Sequence, residues 1–375
     1  MINLIFCMFL FKLIFTQNDS SKFIEEEFKK YLKKYNKSYL TKLEYLKHLN
    51  LFNSSFHKVI NHNKNNSFKL SLNKFSDLTK EEKKKYKTGG IKKHEVKLNK
   101  KFLFSINIGG GGEDYSDKDI DKEDMDLPKN IDYRELGGIN EVSSQGICGA
   151  CAVFSIVSLI EHYYFMKENE LKKFSEQQII DCAFDEDICT SGSTGWDILK
   201  YIEKNGIMEY ENYTYESGYT GKKSRCRYKE NNVVKISGYR LVDKPKAINI
   251  KKYLYKYGPI STSINSDCIE DYYDGIVDYS GSICGNTIDD VNHAVTIVGW
   301  DHDEETQTDY WIVKNSWGKE WGNDGYMYVK YGTNTLGIEN QIKDKNFLKN
   351  LNLKNIEFVF TIYIDINNYF FLFST

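Results

Sequence analysis

The chain has 375 residues, 51 Lys and Arg against 53 Asp and Glu, and a formal net charge of −2. At about 100–200 residues per domain this excludes a minimal single domain and allows two or three domains with a substantial core. Tyr and Phe are many, 28 and 22, and Pro numbers only 3, a bias read as genomic codon usage rather than function.

Met1 to Phe15 is an apolar run broken by Lys12, with no clear small-residue cleavage site near Thr16 and Gln17. It is short for a membrane span and reads as a secretory signal peptide, residues 1–16, against the alternative of a buried core segment. Secretory entry makes the later cysteines readable as disulfides. Residues 17–101 are helical in pattern and carry 22 Lys against 9 Asp and Glu. Such a run could meet nucleic acid but is more simply a solvated face, and no nucleic-acid partner is expected. Residues 102–126 then hold Gly109 to Gly112 and eight acidic residues against two lysines. No packed element is expected there: the stretch reads as a flexible linker to be cut, with a mature start near Leu127 and Pro128. The chain after Asp126 carries −10.

Gln145 to Ser155 reads QGICGACAVFS, and its C-x-x-C spacing opens an apolar run, Ala152 to Ile160, interrupted only by Ser155 and Ser158. The length of the run favours a buried helix, placing Cys151 on its first turn, where unpaired N–H groups and partial positive charge favour a thiolate. Three readings compete. A thioredoxin-like redox pair would need a compact βαβ context. A zinc site of Cys148, Cys151, Cys182 and Cys189 has too long a second spacing for the usual knuckle. In the third, Cys151 is a nucleophile, which requires a histidine and an orienting amide elsewhere.

QGICGAC-x-x-F resembles the active-site signature of papain-like cysteine peptidases, the cathepsin L type in particular. Two further blocks match it, VNHAVTIVGW around His293 and YWIVKNSWGKEWGNDGYMYV around Asn315. His293 follows Cys151 by 142 positions and Asn315 by 164, the excess being assigned to a polar loop from Asp301 to Asp309. The resemblance covers roughly residues 22–343. It implies an α+β, two-lobed papain-like fold, a helical lobe and a β-barrel-like lobe over residues 127–345 with the site in the cleft, behind a helical prodomain. Helices first and short β-rich runs after Lys235 agree with that class.

The resemblance also implies the roles. Cys151 is the nucleophile, His293 its base and later the acid to the leaving amine, and Asn315 the group that orients the imidazole. Gln145 donates to the developing oxyanion beside the backbone N–H of Cys151. Trp317 covers the His293–Asn315 bond, and Asn292 precedes His293 where some members carry aspartate. Gly192 offers a backbone contact to substrate, while Ser263, Ala294 and Gln341 line the pocket for the residue two before the cleaved bond. His162 is assigned to structure and His302 to solvent. No cofactor and no metal are implied. Expected partners are polypeptide substrates, the chain's own propeptide as an intramolecular inhibitor and cystatin-like inhibitors, with the enzyme itself a monomer.

Glu44, His48, Phe52, Ser55, Val59 and Asn63 fall on the interrupted helical pattern of propeptides in this family, and Ser71, Asn73, Phe75 and Asp77 on its second propeptide motif. The resemblance pairs Cys148 with Cys189 and Cys182 with Cys226. Cys284 lacks its usual partner, because Leu336 stands in that place, which leaves a non-standard Cys268–Cys284 bridge. Ala152 replaces the Trp that usually follows the nucleophile, so a repacked helix is expected. No His-His insertion is present, which favours an endopeptidase. Residues 346–375 are foreign to the family and too polar for a membrane span. Asn212 starts a glycosylation sequon in the catalytic domain, and Asn18, Asn36, Asn53 and Asn65 start others. The expected protein is a secreted or lysosomal zymogen activated at acid pH. The alternative is a catalytically silent homologue that binds peptides.

Overall fold

The structure, a computed structural model, describes residues 21–87, 103–107, 120, 123–230, 233–236, 238–242, 246–279 and 284–339. The expected signal peptide, Gln341 and residues 346–375 lie outside them. The chain forms two compact units, Met1–Lys83 and Lys84–Thr375.

The first unit is built on α1 (21–34) and α2 (Lys42–Asn65). Thr41 caps α2, its hydroxyl accepting the N–H of Glu44 at 3.1 Å, while the Glu44 carboxylate reaches back to Leu40 N–H at 3.2 Å. Ile24, Phe28 and Tyr31 of α1 pack on Phe52 of α2, the Phe28 and Phe52 rings 5.2 Å apart. All six residues expected on the interrupted helical pattern lie on α2. Asn63 exchanges two 2.8 Å bonds with the backbone of Leu70. His48 is buried, stacks on Tyr39 and bonds the carbonyl of Asp77 at 2.7 Å, while Lys37 pairs with the Asp77 carboxylate.

The second unit sets helices against one mixed sheet. α4 (Cys151–Glu168), α5 (Glu176–Cys182) and α6 (Gly195–Asn205) follow α3 (Lys80–Lys87), which spans the division. Ser175 caps α5 through the N–H of Gln178 at 3.0 Å, as its position before the helix predicts. The apolar run makes α4 buried on nearly every side, with Val153, Ile156, Leu159 and Ile160 at its centre.

The eight-stranded sheet comprises β1 (Leu103–Asn107), β2 (Ile131–Asp132), β5 (Gly238–Val242), β6 (Ile260–Ile264), β7 (Ile276–Val277), β8 (His293–Asp303), β9 (Thr308–Lys314) and β10 (Tyr326–Lys330). A separate pair joins β3 (Ile207–Met208) to β4 (Val233–Val234). Its order is β5-β1-β6-β8-β9-β10-β7, with β2 pairing on β8. α7 (Ala247–Tyr257) comes between β5 and β6. β8 is the axis: it pairs with β6, β9 and β2, and α4 packs across it. At the bulge by Gly299 the carbonyl of Ile131 would lie 2.1 Å from an added Cβ, so only glycine lets β2 approach.

Two expectations change. Residues 102–126 are not wholly unstructured, since the largely apolar run Leu103-Phe104-Ser105-Ile106 forms β1 within the sheet. The stretch Asp301 to Asp309 is no open loop, because β8 and β9 continue through it with Asp301 opposite Tyr310, His302 opposite Asp309 and Asp303 opposite Thr308. Only Glu304 to Gln307 remain as a turn, with Gln307 at φ 51°.

Candidate active site

Cys151 is the first residue of α4, buried, and outside all three disulfides of the described residues. The residue before it, Ala150, supplies no side-chain cap, so the helix end keeps its donors and its positive field for the thiol. Cys148 is bonded to Cys189, and Gly149 N–H donates to the Cys189 carbonyl at 2.9 Å, which fixes the turn entering the helix.

His293 opens β8 and is buried. Its Nε2 lies 2.7 Å from Oδ1 of Asn315, the residue just past β9, and that oxygen also accepts the N–H of Ser316 at 2.8 Å. An amide oxygen can only accept, so Nε2 carries the proton and Nδ1 is the nitrogen left for proton exchange. Trp317 lies 4.8 Å from the His293 ring and is itself buried beside Trp321.

The helix and the strand are locked together one turn beyond Cys151. Ser155 Oγ lies 2.8 Å from the carbonyl of Val295, 2.6 Å from Ser261 Oγ and 3.1 Å from Thr296 Oγ1. Lys314, next to Asn315, donates to Ser158 Oγ at 3.2 Å. The two serines that interrupt the apolar run therefore hold α4 to the strands carrying His293 and Asn315. Their function was missed in the sequence, although the interruption itself was the signal.

Gln145 is fully buried. Its Nε2 donates to the Cys148 carbonyl at 3.0 Å, its Oε1 accepts from Ser316 Oγ at 2.6 Å, and its backbone N–H donates to Ser316 O at 2.9 Å. One N–H of the amide is thus spent on orientation, and the amide carries a second. Ser316, also missed, joins the Gln145 and Asn315 sides of the site.

Ser263 and Ala294 stand opposite each other on β6 and β8, one step from His293, and both are half-buried. Gly192 has φ 74°, open to glycine, and ends a short helical turn with its N–H given to Ile188 O at 2.8 Å, while its carbonyl accepts from Ser191 Oγ at 3.3 Å. Asn292 does not turn its amide to the cleft. Its Oδ1 accepts from Ser266 N at 3.0 Å and Ser266 Oγ at 2.8 Å, and its Nδ2 donates to Asp267, which makes it a brace for the chain entering β8. Cys182 is bonded to Cys226, and Cys268 to Cys284. Ala152 lies in the helix core cluster.

His162, buried with Nδ1 at 3.1 Å from Gly138 O, has its pKa pushed down to about 4 by burial. His302 is not simply solvated: Asp309 holds its Nδ1 at 2.8 Å across the hairpin. Below the site, Glu161, Lys173, Glu176 and Lys314 line one small cavity. Burial, then the neighbouring Glu161, raises Glu176 to about 7. Burial also raises Glu161 and lowers Lys314, each shift held back by the other's charge. Among the described residues no group of His, Cys, Asp and Glu could hold a metal ion, and no helix is long and apolar enough to cross a membrane.

Comparison with known proteins gives two family matches, papain family cysteine protease over residues 127–345 and cathepsin propeptide inhibitor domain over residues 28–82. The chain is 31% identical to a viral cathepsin of Bombyx mori nuclear polyhedrosis virus, over 84% of this chain and 90% of the relative. It is 30% identical to cathepsin F of Drosophila melanogaster, over 84% of this chain and 49% of that longer protein. Among solved structures, digestive procathepsin L2 from Tenebrio molitor larval midgut aligns with a TM-score of 0.72 at 28% identity, covering 84% of this chain and 97% of that one. A recombinant stem bromelain precursor aligns with a TM-score of 0.68 at 27% identity, covering 84% and 96%.

Proposed function

Since the chain belongs to the papain family of cysteine proteases, with a cathepsin propeptide inhibitor domain ahead of the peptidase, we propose that Cys151, His293, Asn315 and Gln145 make it an acid-activated endopeptidase. The observation that carries this reading is the 2.7 Å bond from His293 to Asn315, on a strand locked to the helix that begins at Cys151.

The resting pair is a Cys151 thiolate and a His293 imidazolium, the proton having moved from sulfur to Nδ1. Sulfur attacks the peptide carbonyl carbon, and the oxygen takes the negative charge beside the second N–H of Gln145 and the backbone N–H of Cys151. As the tetrahedral adduct collapses, the C–N bond breaks and Nδ1–H protonates the departing amine. Water then gives a proton back to Nδ1 while its oxygen attacks the thioester, and the C–S bond breaks to release the acid. Asn315 keeps Nε2–H fixed throughout, so only Nδ1 exchanges protons. Ser263 and Ala294 would line the pocket for the substrate residue two before the cleaved bond, with Gly192 offering its carbonyl beside it.

The prosegment is basic and the chain after Asp126 acidic, so attraction helps hold the inhibitor in place. Protonating carboxylates at mildly acid pH weakens it, and self-processing follows. A secretory route, to lysosome or exterior, and a monomeric enzyme open to cystatin-like inhibitors belong to the same reading.

The test is incubation of purified proenzyme at mildly acid pH beside Cys151→Ala, following mass and labelling by a thiol-directed epoxide. Loss of the prosegment and labelling at Cys151 in the wild type alone are expected. A wild type matured by another protease that still resists the label would instead mark a silent peptide-binding homologue.

A further inference from the structure

β1 comes from the stretch ahead of the expected mature start at Leu127 and Pro128, yet it lies inside the sheet, between β5 and β6. Five residue pairs, from Leu103 opposite Val242 to Asn107 opposite Gly238, join it to β5, and Phe104 stands opposite Ser261 of β6. Among the described residues β1 is the only sheet partner β5 has. Farther along, Ile120 is 4% exposed, and Lys252 of α7 donates to the carbonyls of Ile120 at 3.0 Å and Glu123 at 2.6 Å. One helical turn on, Lys256 pairs with the Glu123 carboxylate at 2.6 Å.

A stretch meant to be discarded would have to be peeled from a sheet interior. Among the described residues its departure would leave the backbone donors and acceptors of β5 without a ladder and open an edge on β6. The division of the chain agrees, because the unit containing the peptidase begins at Lys84, well ahead of Leu127. The composition agrees as well: eight lysines lie within residues 84–101, whereas residues 103–126 hold two and share the negative sign of the domain after them.

We propose that Leu103–Asn107 stays in the mature enzyme as a strand of its sheet, and that the cut releasing the inhibitor falls before Leu103. This rests on the zymogen reading, and the test separates the two. Wild type is matured at mildly acid pH, and Cys151→Ala proenzyme is trimmed with trypsin, which cuts after lysine. Each core is isolated by size exclusion, unfolded, and every peptide weighed.

One copy of the 103–107 segment per catalytic domain is expected, either attached, with the core's first residue at or before Leu103, or co-eluting as a separate peptide cut after Lys118 or Lys122. A core that starts after Asn107 with no such peptide overturns the proposal. Where the wild type matures, its own product decides. Where it does not, self-activation fails and the trypsin product decides the strand. As a second measurement, Ser105→Pro removes a ladder donor from an interior strand and is expected to lower the unfolding temperature of the trimmed core by several degrees. An unchanged midpoint in a core lacking residues 103–107 counts against the strand.

Discussion

Ser155 Oγ donates to the carbonyl of Val295 across 2.8 Å, and this bond fixes the turn after Cys151 against the strand two residues past His293. A carbonyl only accepts, so Ser155 is the donor to Val295, and the same hydroxyl lies 2.6 Å from that of Ser261 and 3.1 Å from that of Thr296. Cys151 and Ser155 are one helical turn apart on one side of α4, so the lock sits directly beneath the thiol.

Ser155→Ala should therefore act on geometry. Displacements of an ångström cost up to about 100-fold in positioned reactions, and a roughly tenfold fall in kcat with little change in KM is expected. Steady-state kinetics with a small peptide substrate, together with the alkylation rate of Cys151, checks it. A kcat within a factor of two of wild type would show that the lock is structural only.

Gln145 and Asn315 should separate in their effects. Gln145→Ala removes a donor to the oxyanion, a loss of about 10²–10³ in kcat by analogy with other oxyanion-hole deletions. Asn315→Ala removes the acceptor at Nε2, and a hydrogen bond to a charged group is worth about 1.5–3 kcal/mol, so a loss of roughly 10- to 150-fold is expected. Only the second should alter the pH profile, since only Asn315 touches the titrating imidazole. An identical profile in both variants would refute this division.

Glu176 gives a stability test with a defined sign. Its folded pKa, about 7, lies above the 4.5 of an ordinary glutamate, so the fold binds the extra proton and stability falls as pH rises from about 4.5 to about 7. Glu176→Gln should gain on the wild type across that window and match it below pH 4.5, apart from a constant offset. Chemical denaturation of active-site-blocked enzyme at pH 4, 5.5 and 7 measures it; a difference independent of pH removes the claim.

His162 works in the opposite sense. Its folded pKa of about 4 is below the ordinary 6.5, so the unfolded chain takes up the proton first and stability is lost as pH falls from 6.5 towards 4. His162→Gln should cost stability at pH 7 through lost packing against Gly138 and Gly258, but the deficit should shrink on acidification by up to about 3 kcal/mol at ~1.4 kcal/mol per unit. The same denaturation series applies, and a constant deficit would count against it.

Local patterns carried much of the site's outline. The apolar run after Cys151 has the length of a buried helix, and the three blocks around Cys151, His293 and Asn315 lie at spacings that the sheet explains, β8 and β9 being a hairpin. What the sequence withheld depends on distant partners. Ser155 and Val295 are 140 positions apart, and nothing in a periodic pattern shows that a serine in an apolar run meets a carbonyl there. Asn292 precedes His293 in the sequence, but that its amide is bound by Ser266 and Asp267 is visible only in the fold. The acidic, glycine-rich composition of residues 102–126 outweighed the short, largely apolar run that makes β1. The charges of Asp301 to Asp309 likewise hid a continuing ladder.

Ser316 bonds Gln145 through both its carbonyl and its hydroxyl, and its own N–H holds the Asn315 amide. The segment leading into the helical half and the turn leaving the strand half are thus stitched at one residue, and neither half holds a complete set of reacting groups. A copy caught midway through folding carries a thiol but no working protease, so it cannot digest its neighbours while they too are unfolded. On heating, turnover should cease when the halves part, ahead of any loss of helix.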